Sequence, residues 1–294
     1  MPIELRDRID SIQQALGRIE ARQVAEVVPG NIALVEFKVS SQWGEDGIIA
    51  HLLRHVSIAS KVFVEFGVQD YKESNTRFLL RNTNWCGLVL DGSIENIAII
   101  RKDPIYWQHN LKAEAAFVTR ENINDLILRH GIAGDIGLLS IDIDGNDYWV
   151  WQAISCISPR IVVVEYNALF GPSATVSVPY DPFFVRTQAH YSNLYWGCSL
   201  SALTHLAAEK GYGLVGCNTN GNNAFFVRRD VFGGLPLVSP TEAYRPAYFR
   251  EARDLRGALN YLTGADALAV IRDMSLIDVV TGERGLVGSF SDAF

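Results

Sequence analysis

The chain has 294 residues, of which 48% are hydrophobic and 20% are charged, so it can bury a large core in a globular fold. Its net charge of -7 argues against nucleic acid as a partner, because such polyanions bind basic surfaces. No apolar run approaches the roughly 20 residues that span a bilayer, and the N-terminus does not read as a secretory signal. The four cysteines are scattered without CxxC spacing, which predicts free thiols and a cytoplasmic protein.

The first predicted element is an amphipathic helix over residues 3–24. Its apolar side chains recur every three or four positions, at Leu5, Ile9, Ile12, Leu16 and Ile19. Such a stripe needs a partner surface, which is either the chain's own domain or the same helix of a second subunit. We therefore predict that residues 1–28 form a separate N-terminal segment, and we leave open whether it makes the protein a homo-oligomer.

Beyond this helix, β-type runs alternate with helical stretches, which is typical of a doubly wound parallel sheet. The predicted strands are VFVEFG, GLVLDG, AAFVT, IGLLSIDID and RIVVVEYN. An Asn-rich linker joins GYGLVGC to NNAFFVRRD and predicts an antiparallel closing hairpin. We expect a mostly parallel, Rossmann-like α/β domain over residues 35–235. A long aromatic segment, residues 171–199, is interpreted as a lid or binding loop. Residues 236–294 are predicted to be a helical extension packed on the same domain.

Polar and acidic side chains stand where the predicted strands end. Ligands bind beyond the carboxyl ends of the strands in open α/β sheets, and buried carboxylates without partners are costly. These ends therefore predict a binding site rich in oxygen atoms. Its members follow the first, second, fourth and fifth strands: Glu65 and Gly67, Asp91, Asp142, Asp144 and Asp147, and Glu165 and Asn167.

The end of the second strand suggests an adenosine ligand. Asp91 is placed to accept hydrogen bonds from both hydroxyls of a ribose, and the alternative is a turn or helix-capping aspartate. The preceding loop has Gly67 alone where a phosphate cradle needs G-x-G-x-x-G, and its Asp70 and Glu73 would repel a pyrophosphate. S-adenosylmethionine fits better, because an acidic loop attracts its sulfonium and ammonium groups.

Through SSQWGEDGII, VFVEFGVQD, GLVLDG, SIDIDGND and the closing hairpin, the sequence resembles class I S-adenosylmethionine-dependent methyltransferases, and more closely the FkbM type. The resemblance covers roughly residues 40–230. It implies an antiparallel seventh strand between the fifth and sixth, and methyl transfer to a hydroxyl of a sugar in a surface glycan or secondary metabolite. The glycine-rich E-x-G-x-G-x-G form is broken here by Gln69 and Tyr71. The expected cofactor contacts are Gln42, Glu65, Gly67, Asn75, Asp91 and Asp142, with Glu45 as a further residue of the pocket.

The resemblance also raises the question of a metal. Catechol and several sugar O-methyltransferases hold Mg²⁺ with carboxylates after the fourth and fifth strands, and Asp142 or Asp144 with Glu165 and Asn167 is similar. Hard oxygen ligands suit Mg²⁺ or Ca²⁺, either of which would lower the pKa of a bound hydroxyl. The alternative is that Asp144 and Asp147 cap the next helix.

His190, in the aromatic segment, is the predicted catalytic base, with Asp142 as the second catalytic residue. The acceptor is expected to be a small molecule or glycan bearing a hydroxyl. Two other functions stay open. One is a nucleotide-sugar or NAD-linked enzyme that uses the same sheet and Asp91. The other is a non-catalytic scaffold that assembles through its N-terminal helix.

Overall fold

The computed structural model describes residues 3–27 and 30–294, and from residue 62 onward strands and helices alternate. The helices are α1 (Ile3–Gln23), α2 (Glu45–His55), α3 (Arg77–Thr83), α4 (Ile94–Lys102), α5 (Ile105–Gln108), α6 (Ile123–Arg129), α7 (Asp147–Ala153), α8 (Arg186–Ala189), α9 (Leu200–Glu209), α10 (Pro240–Ala243) and α11 (Gly264–Val270). The strands are β1 (Val62–Phe66), β2 (Cys86–Asp91), β3 (Leu111–Ala115), β4 (Gly134–Ile141), β5 (Ile157–Glu165), β6 (Val176–Ser177), β7 (Tyr212–Cys217), β8 (Asn223–Arg228), β9 (Ser275–Asp278) and β10 (Arg284–Leu286).

The central sheet has seven strands in the order β3-β2-β1-β4-β5-β8-β7. The first five pair in parallel, and β8 pairs antiparallel with both β5 and β7. The predicted α/β class and its closing hairpin are therefore confirmed, as is the reversed strand that the resemblance implied. Helices cover both faces, because the central strands are apolar on both sides and must be buried on both.

The third strand lies elsewhere than predicted. AAFVT was expected to be the strand, but β3 is the preceding LKAEA, which pairs with β2 from Gly87 to Asp91. Leu111 and Ala113 face the core, while Glu114, on the opposite side of the strand, accepts hydrogen bonds from the side chains of Arg129 and His130. Charged residues on the exposed face of this edge strand make its apolar alternation hard to recognise in the sequence. The more apolar run AAFVT was therefore predicted as the strand instead.

The C-terminal extension is less helical than predicted. Residues 244–263 contain no helix, α11 is short, and β9 and β10 join β6 in a second, antiparallel sheet. The helical prediction is wrong here because this stretch passes over the hairpin loop, where the Tyr248 N–H donates to the Asn220 carbonyl at 3.0 Å. Contacts with the central domain override helix propensity. The domain boundary at residue 235 stays a prediction.

The N-terminal helix forms as predicted, apart from Met1, Pro2 and Val28, which lie outside the described residues. Its polar face docks on the domain, where the Arg81 guanidinium binds the Asp10 carboxylate with two bonds of 2.7 Å and Gly17 lies against Val39 and Phe78. The apolar stripe faces away from the domain. Within the described residues, no helix combines the length and the apolar character that crossing a lipid bilayer would demand.

Candidate active site

A polar cavity of about 80 Å³ lies at the carboxyl ends of β1 and β4. Five residues predicted from the sequence line it, namely Gln42, Glu65, Gly67, Asn75 and Asp142, and Asn223 of the hairpin joins them. Parallel strands bring their carboxyl ends to one edge of the sheet, so residues far apart in sequence meet there. The structure thus assembles most of the expected cofactor contacts.

Glu65 holds the loop that follows β1. One carboxylate oxygen accepts from the Asn75 N–H at 2.8 Å, and the other accepts from the Thr76 N–H at 3.1 Å and from its hydroxyl. Burial raises the pKa of Glu65 to about 7, against the opposing effect of these donors. Asn75 in turn donates to the Ser140 hydroxyl on β4 at 3.1 Å. The loop is therefore fixed to two adjacent strands.

The three glycine positions of the family pattern all keep a left-handed backbone. Gly67 has φ of 81°, and the two departures from the pattern, Gln69 and Tyr71, have φ of 48° and 61°. A Cβ on Gly67 would lie 1.4 Å from the Asp142 carbonyl oxygen, so this position admits no side chain. Gln69 and Tyr71 have space for theirs, and Tyr71 is fully buried with its hydroxyl 2.8 Å from that of Thr76. The loop keeps its shape at a cost of about 1–2 kcal/mol for each non-glycine residue.

Asp91 joins the β1 loop to the start of α4. Its Oδ2 accepts from the Gln69 N–H at 2.7 Å, and its Oδ1 accepts from the Ser93 N–H and the Asn96 amide, both at 2.9 Å. Among the described residues Oδ2 has one donor, so one of its lone pairs is free for a ligand hydroxyl. Asp91 does not line the 80 Å³ cavity. Its predicted contact with a ribose requires a ligand that extends beyond that cavity.

The hairpin loop is tied to the segment that carries Gln42. Glu45 is fully buried, and its Oε1 accepts from the side-chain amides of Asn218 and Asn223 at 2.8 and 2.9 Å. Its Oε2 accepts from the Trp43 N–H at 2.9 Å. Glu45 thus positions the wall of the cavity, which is a different task from the direct pocket contact expected from the resemblance.

Three carboxylates cluster at the carboxyl ends of β4 and β5. Asp142, Asp144 and Glu165 each offer an oxygen atom within 4.8 Å of the others. Burial, and then the neighbouring carboxylates, raise the pKa values of both Asp142 and Glu165 well above the ordinary range. Glu165 Oε2 is buried without a hydrogen-bond partner among the described residues. Such an orphaned oxygen in an acidic cluster fits a site for a hard divalent cation.

Arg186 is the cation that faces this cluster, and sequence reasoning missed it. Its guanidinium donates to Asp144 Oδ1 at 2.7 Å and to Glu251, and it lies 4.5 Å above the ring of Trp196. Only 12% of its side chain is exposed. Arg186 lies in the segment that was expected to cover an acidic site, and buried carboxylates need a compensating cation. That argument could have identified it from the sequence.

The other predicted residues are engaged elsewhere. The Asn167 side chain is engaged by the backbone: its amide donates to the Leu194 and Trp196 carbonyls at 3.1 and 3.0 Å, and its oxygen caps the turn after β5. Asp147 accepts from the Ile143 and Gly145 N–H groups, both at 2.9 Å; both donors precede α7, so these bonds hold the loop after β4 and are not the helix caps of the alternative. Burial lowers the pKa of His190, whose Nδ1 lies 2.7 Å from the Ser192 hydroxyl. The roles of Asn167 as ligand and His190 as base stay predictions.

A second cavity, of about 450 Å³, is also lined by Arg186. Its walls come from the turn after β5, the long aromatic segment, residues 244–251, the start of α11 and the C-terminal Phe294. Asp142 lines the first cavity, and Asp144 bonds an arginine that lines the second. The carboxylate cluster therefore lies at the boundary between the two cavities.

The sequence matches no protein-family model, and no curated protein matches it. Among solved structures, the chain is similar to the N-terminal domain of EvdMO1 with SAH bound, at 11% identity and a TM-score of 0.37 over 57% of this chain and 73% of that one. It is also similar to an O-methyltransferase from Bacillus cereus in complex with SAH, at 14% identity and a TM-score of 0.37 over 57% of this chain and 72% of that one. A third similar structure is an S-adenosylmethionine-dependent methyltransferase from Clostridium acetobutylicum ATCC 824, at 8% identity and a TM-score of 0.35 over 58% of this chain and 85% of that one.

Similarity at this level carries no conclusion about activity, so the fold assignment rests on the strand order of the chain itself. Six strands run parallel, and the antiparallel β8 is inserted between β5 and β7, which gives the mostly parallel, Rossmann-like sheet that was expected.

Proposed function

We propose that the chain transfers the methyl group of S-adenosylmethionine to a hydroxyl oxygen. The acidic loop after β1, with Asp70 and Glu73, argues against a cofactor that carries a pyrophosphate. The observation that carries the proposal is the convergence of Glu65, Asn75 and Asp142 on one cavity at the ends of β1 and β4. As the acceptor class we propose a sugar hydroxyl, which rests on the FkbM-type resemblance. The cytosol is the compartment we propose, where the four free cysteines stay reduced.

The residues of this cavity suit the methionine end of the cofactor. Its volume of about 80 Å³ is small, so we assign to it the amino-acid head group of the cofactor. The Glu65 and Asp142 carboxylates would attract an ammonium group, and Asp91 would accept from ribose hydroxyls on the open surface beyond the cavity. When bound there, S-adenosylmethionine supplies a methyl group on a sulfonium, which an acceptor oxygen can attack.

Asp142 is the residue that we propose takes the proton from the acceptor hydroxyl. It lines the first cavity and belongs to the carboxylate cluster at the boundary with the second. Burial and the neighbouring carboxylates raise the pKa of Asp142, and a carboxylate with a raised pKa is a stronger base. Arg186 would hold Asp144 in place beside it. His190 is the alternative base, and it requires the long aromatic segment to bring its ring to the acceptor.

Metal assistance is a separate proposal. Asp142, Asp144 and Glu165 would hold Mg²⁺, and the orphaned Oε2 of Glu165 is the atom that supports this assignment. Asn167 would join them only after giving up its bonds to the loop carbonyls. When bound, Mg²⁺ lowers the pKa of a coordinated hydroxyl. In the metal-free protein, Arg186 supplies the compensating positive charge.

The first test is calorimetric titration of the protein with S-adenosylhomocysteine, with and without Mg²⁺. Asp91→Ala is expected to weaken binding at least about tenfold, because it removes the proposed ribose acceptor. Asp278→Ala is the matched control, since Asp278 also accepts hydrogen bonds from three groups but lies on β9, outside the cofactor cavity.

Each outcome separates the alternatives. Unchanged affinity in Asp91→Ala would remove the ribose assignment, and no binding to the folded wild type would remove the methyltransferase proposal. Binding of NADH or of a nucleotide sugar instead would favour the second enzyme class. A protein that binds S-adenosylhomocysteine but methylates no hydroxyl-bearing acceptor would favour the scaffold.

We also propose that α1 pairs with its copy in a second subunit. Its five apolar side chains alternate spacings of four and three residues, which is the heptad pattern, and Ile12 remains 60% exposed after the opposite face has docked. Ile12→Asp should shift the mass measured by light scattering toward one chain. Ile94→Asp, at an exposed isoleucine on α4, is the control and should leave it unchanged. A wild-type mass of one chain would refute the pairing.

A further inference from the structure

The 450 Å³ cavity differs in character from the first one. Its walls are mainly apolar, with Leu169, Leu262, Leu268 and Phe294 among them, whereas carboxylates and amides dominate the smaller cavity. Three charged residues also line it: Arg186 and Glu251 form a direct ion pair, and the Arg250 guanidinium donates to the Ala247 and Phe249 carbonyls. Because the ion pair is compensated and the third charge is bonded to backbone carbonyls, the mainly apolar walls favour an apolar occupant.

The position of this cavity connects it to the proposed chemistry. Arg186 lines it and bonds Asp144, which clusters with Asp142 at the first cavity. Methyl transfer needs the acceptor oxygen within contact distance of the donor methyl, so an acceptor must reach the carboxylate cluster. An acceptor seated in the second cavity would approach the cluster beside Arg186.

We propose that the 450 Å³ cavity binds the body of the acceptor, and that the acceptor is a small molecule with an apolar body and a hydroxyl group at the end facing Arg186. This inference rests on the proposed methyltransferase function and narrows its acceptor class. A cavity of this volume is within the range of about 300–1,000 Å³ that encloses small-molecule ligands. A polysaccharide, which carries hydroxyl groups along its whole length, would leave much of these apolar walls without partners. The structure therefore favours an apolar metabolite that carries a sugar over a surface glycan.

The C-terminal extension is the part of the chain that would determine this preference for an apolar acceptor. Residues 244–251, the start of α11 and Phe294 supply much of the wall, while the central sheet supplies none of it. The extension is fixed at this place by two contacts. The hydroxyl of Tyr166, directly after β5, donates to the Arg245 carbonyl at 2.9 Å, and the Trp43 and Phe249 rings stack with their centroids 6.3 Å apart. The second contact links the wall to the segment that carries Gln42.

The test compares n-octyl β-D-glucoside, below its micelle-forming concentration, with methyl β-D-glucoside by calorimetry, with and without S-adenosylhomocysteine. Both probes carry the same sugar, and only the first has an apolar body. We expect the octyl compound to bind at least about tenfold more tightly, because its chain leaves water for the cavity. Equal affinities, or binding of neither probe, would overturn the proposal.

Two alanines of α11 provide matched variants. Both are exposed, but Ala265 lines the cavity and Ala269, one turn further along, does not. Ala265→Trp should remove the advantage of the octyl compound, and Ala269→Trp should preserve it. An advantage that survives Ala265→Trp would place the binding elsewhere and overturn the proposal. If Ala265→Trp fails to fold, Thr263→Trp replaces it, because Thr263 is also exposed, lines the cavity and makes no side-chain capping bond.

Titration with S-adenosylhomocysteine keeps the two proposals apart. Normal affinity for it, without any preference for the octyl compound, would overturn the acceptor inference and leave the methyltransferase function standing. A preference that Ala265→Trp abolishes, in a protein that does not bind S-adenosylhomocysteine, would instead remove the methyltransferase function and leave an apolar binding site.

Discussion

Gly67 is the position where one added methyl group should do most damage to the candidate site. In Gly67→Ala the new Cβ would lie 1.4 Å from the Asp142 carbonyl oxygen, so β1 and β4 must separate at their carboxyl ends. The left-handed backbone adds about 1–2 kcal/mol for any residue with a Cβ. Relieving the overlap adds about 1–3 kcal/mol. We expect the free energy of unfolding to fall by about 2–5 kcal/mol in total.

Gly131→Ala separates the two causes. Gly131 has φ of 71°, close to that of Gly67, but a Cβ there would meet no atom within 4 Å. The free energy of unfolding of Gly131→Ala should therefore fall only by the cost of the left-handed backbone, about 1–2 kcal/mol. Urea unfolding of the two variants and the wild type measures the difference, and calorimetry with S-adenosylhomocysteine should show weaker binding in Gly67→Ala alone. Equal losses of stability in both variants would refute the close-approach explanation.

Three further predictions follow from the same site. Because burial raises the pKa of Glu65 to about 7, its stabilising contribution is complete below about pH 4.5 and is lost as the pH rises through about 7. Urea unfolding should show wild type losing stability relative to Glu65→Gln over this range, by on the order of 1 kcal/mol per pH unit, and parallel curves would contradict it. Arg186→Met leaves Asp144 and its neighbours without their cation, so the variant should melt at a lower temperature and be rescued by Mg²⁺ more than the wild type; no rescue would count against the metal site. Gln69→Gly relieves a left-handed backbone and should keep or raise stability by up to about 1 kcal/mol, whereas a clear loss would mean that the Gln69 side chain packs usefully.

The sequence alone predicted the elements whose residues carry a strong local pattern. The apolar runs of β1, β4 and β5 and the heptad stripe of α1 specify their own secondary structure, because strand and helix periods differ. The closing hairpin followed from its Asn-rich turn. Edge strand β3 and the helix-poor stretch after Tyr244 were mispredicted, since contacts with the rest of the fold decided both.

The carboxylates at the strand ends could also be predicted, because the carboxyl ends of parallel strands share one edge of the sheet whatever the details of packing. The separate task of each carboxylate could not be predicted. Glu45 ties the hairpin to the cavity wall and Asp147 holds the loop after β4, while Asp142 and Glu165 face each other in the cluster.

What only the tertiary structure decided is which distant segments meet. Arg186 reaches Asp144 across 42 positions of the sequence, and the C-terminal extension closes a cavity against the turn after β5. Local sequence patterns report the period of one segment and the burial of its faces. They do not report which segment covers which, because that depends on the summed packing of the whole chain.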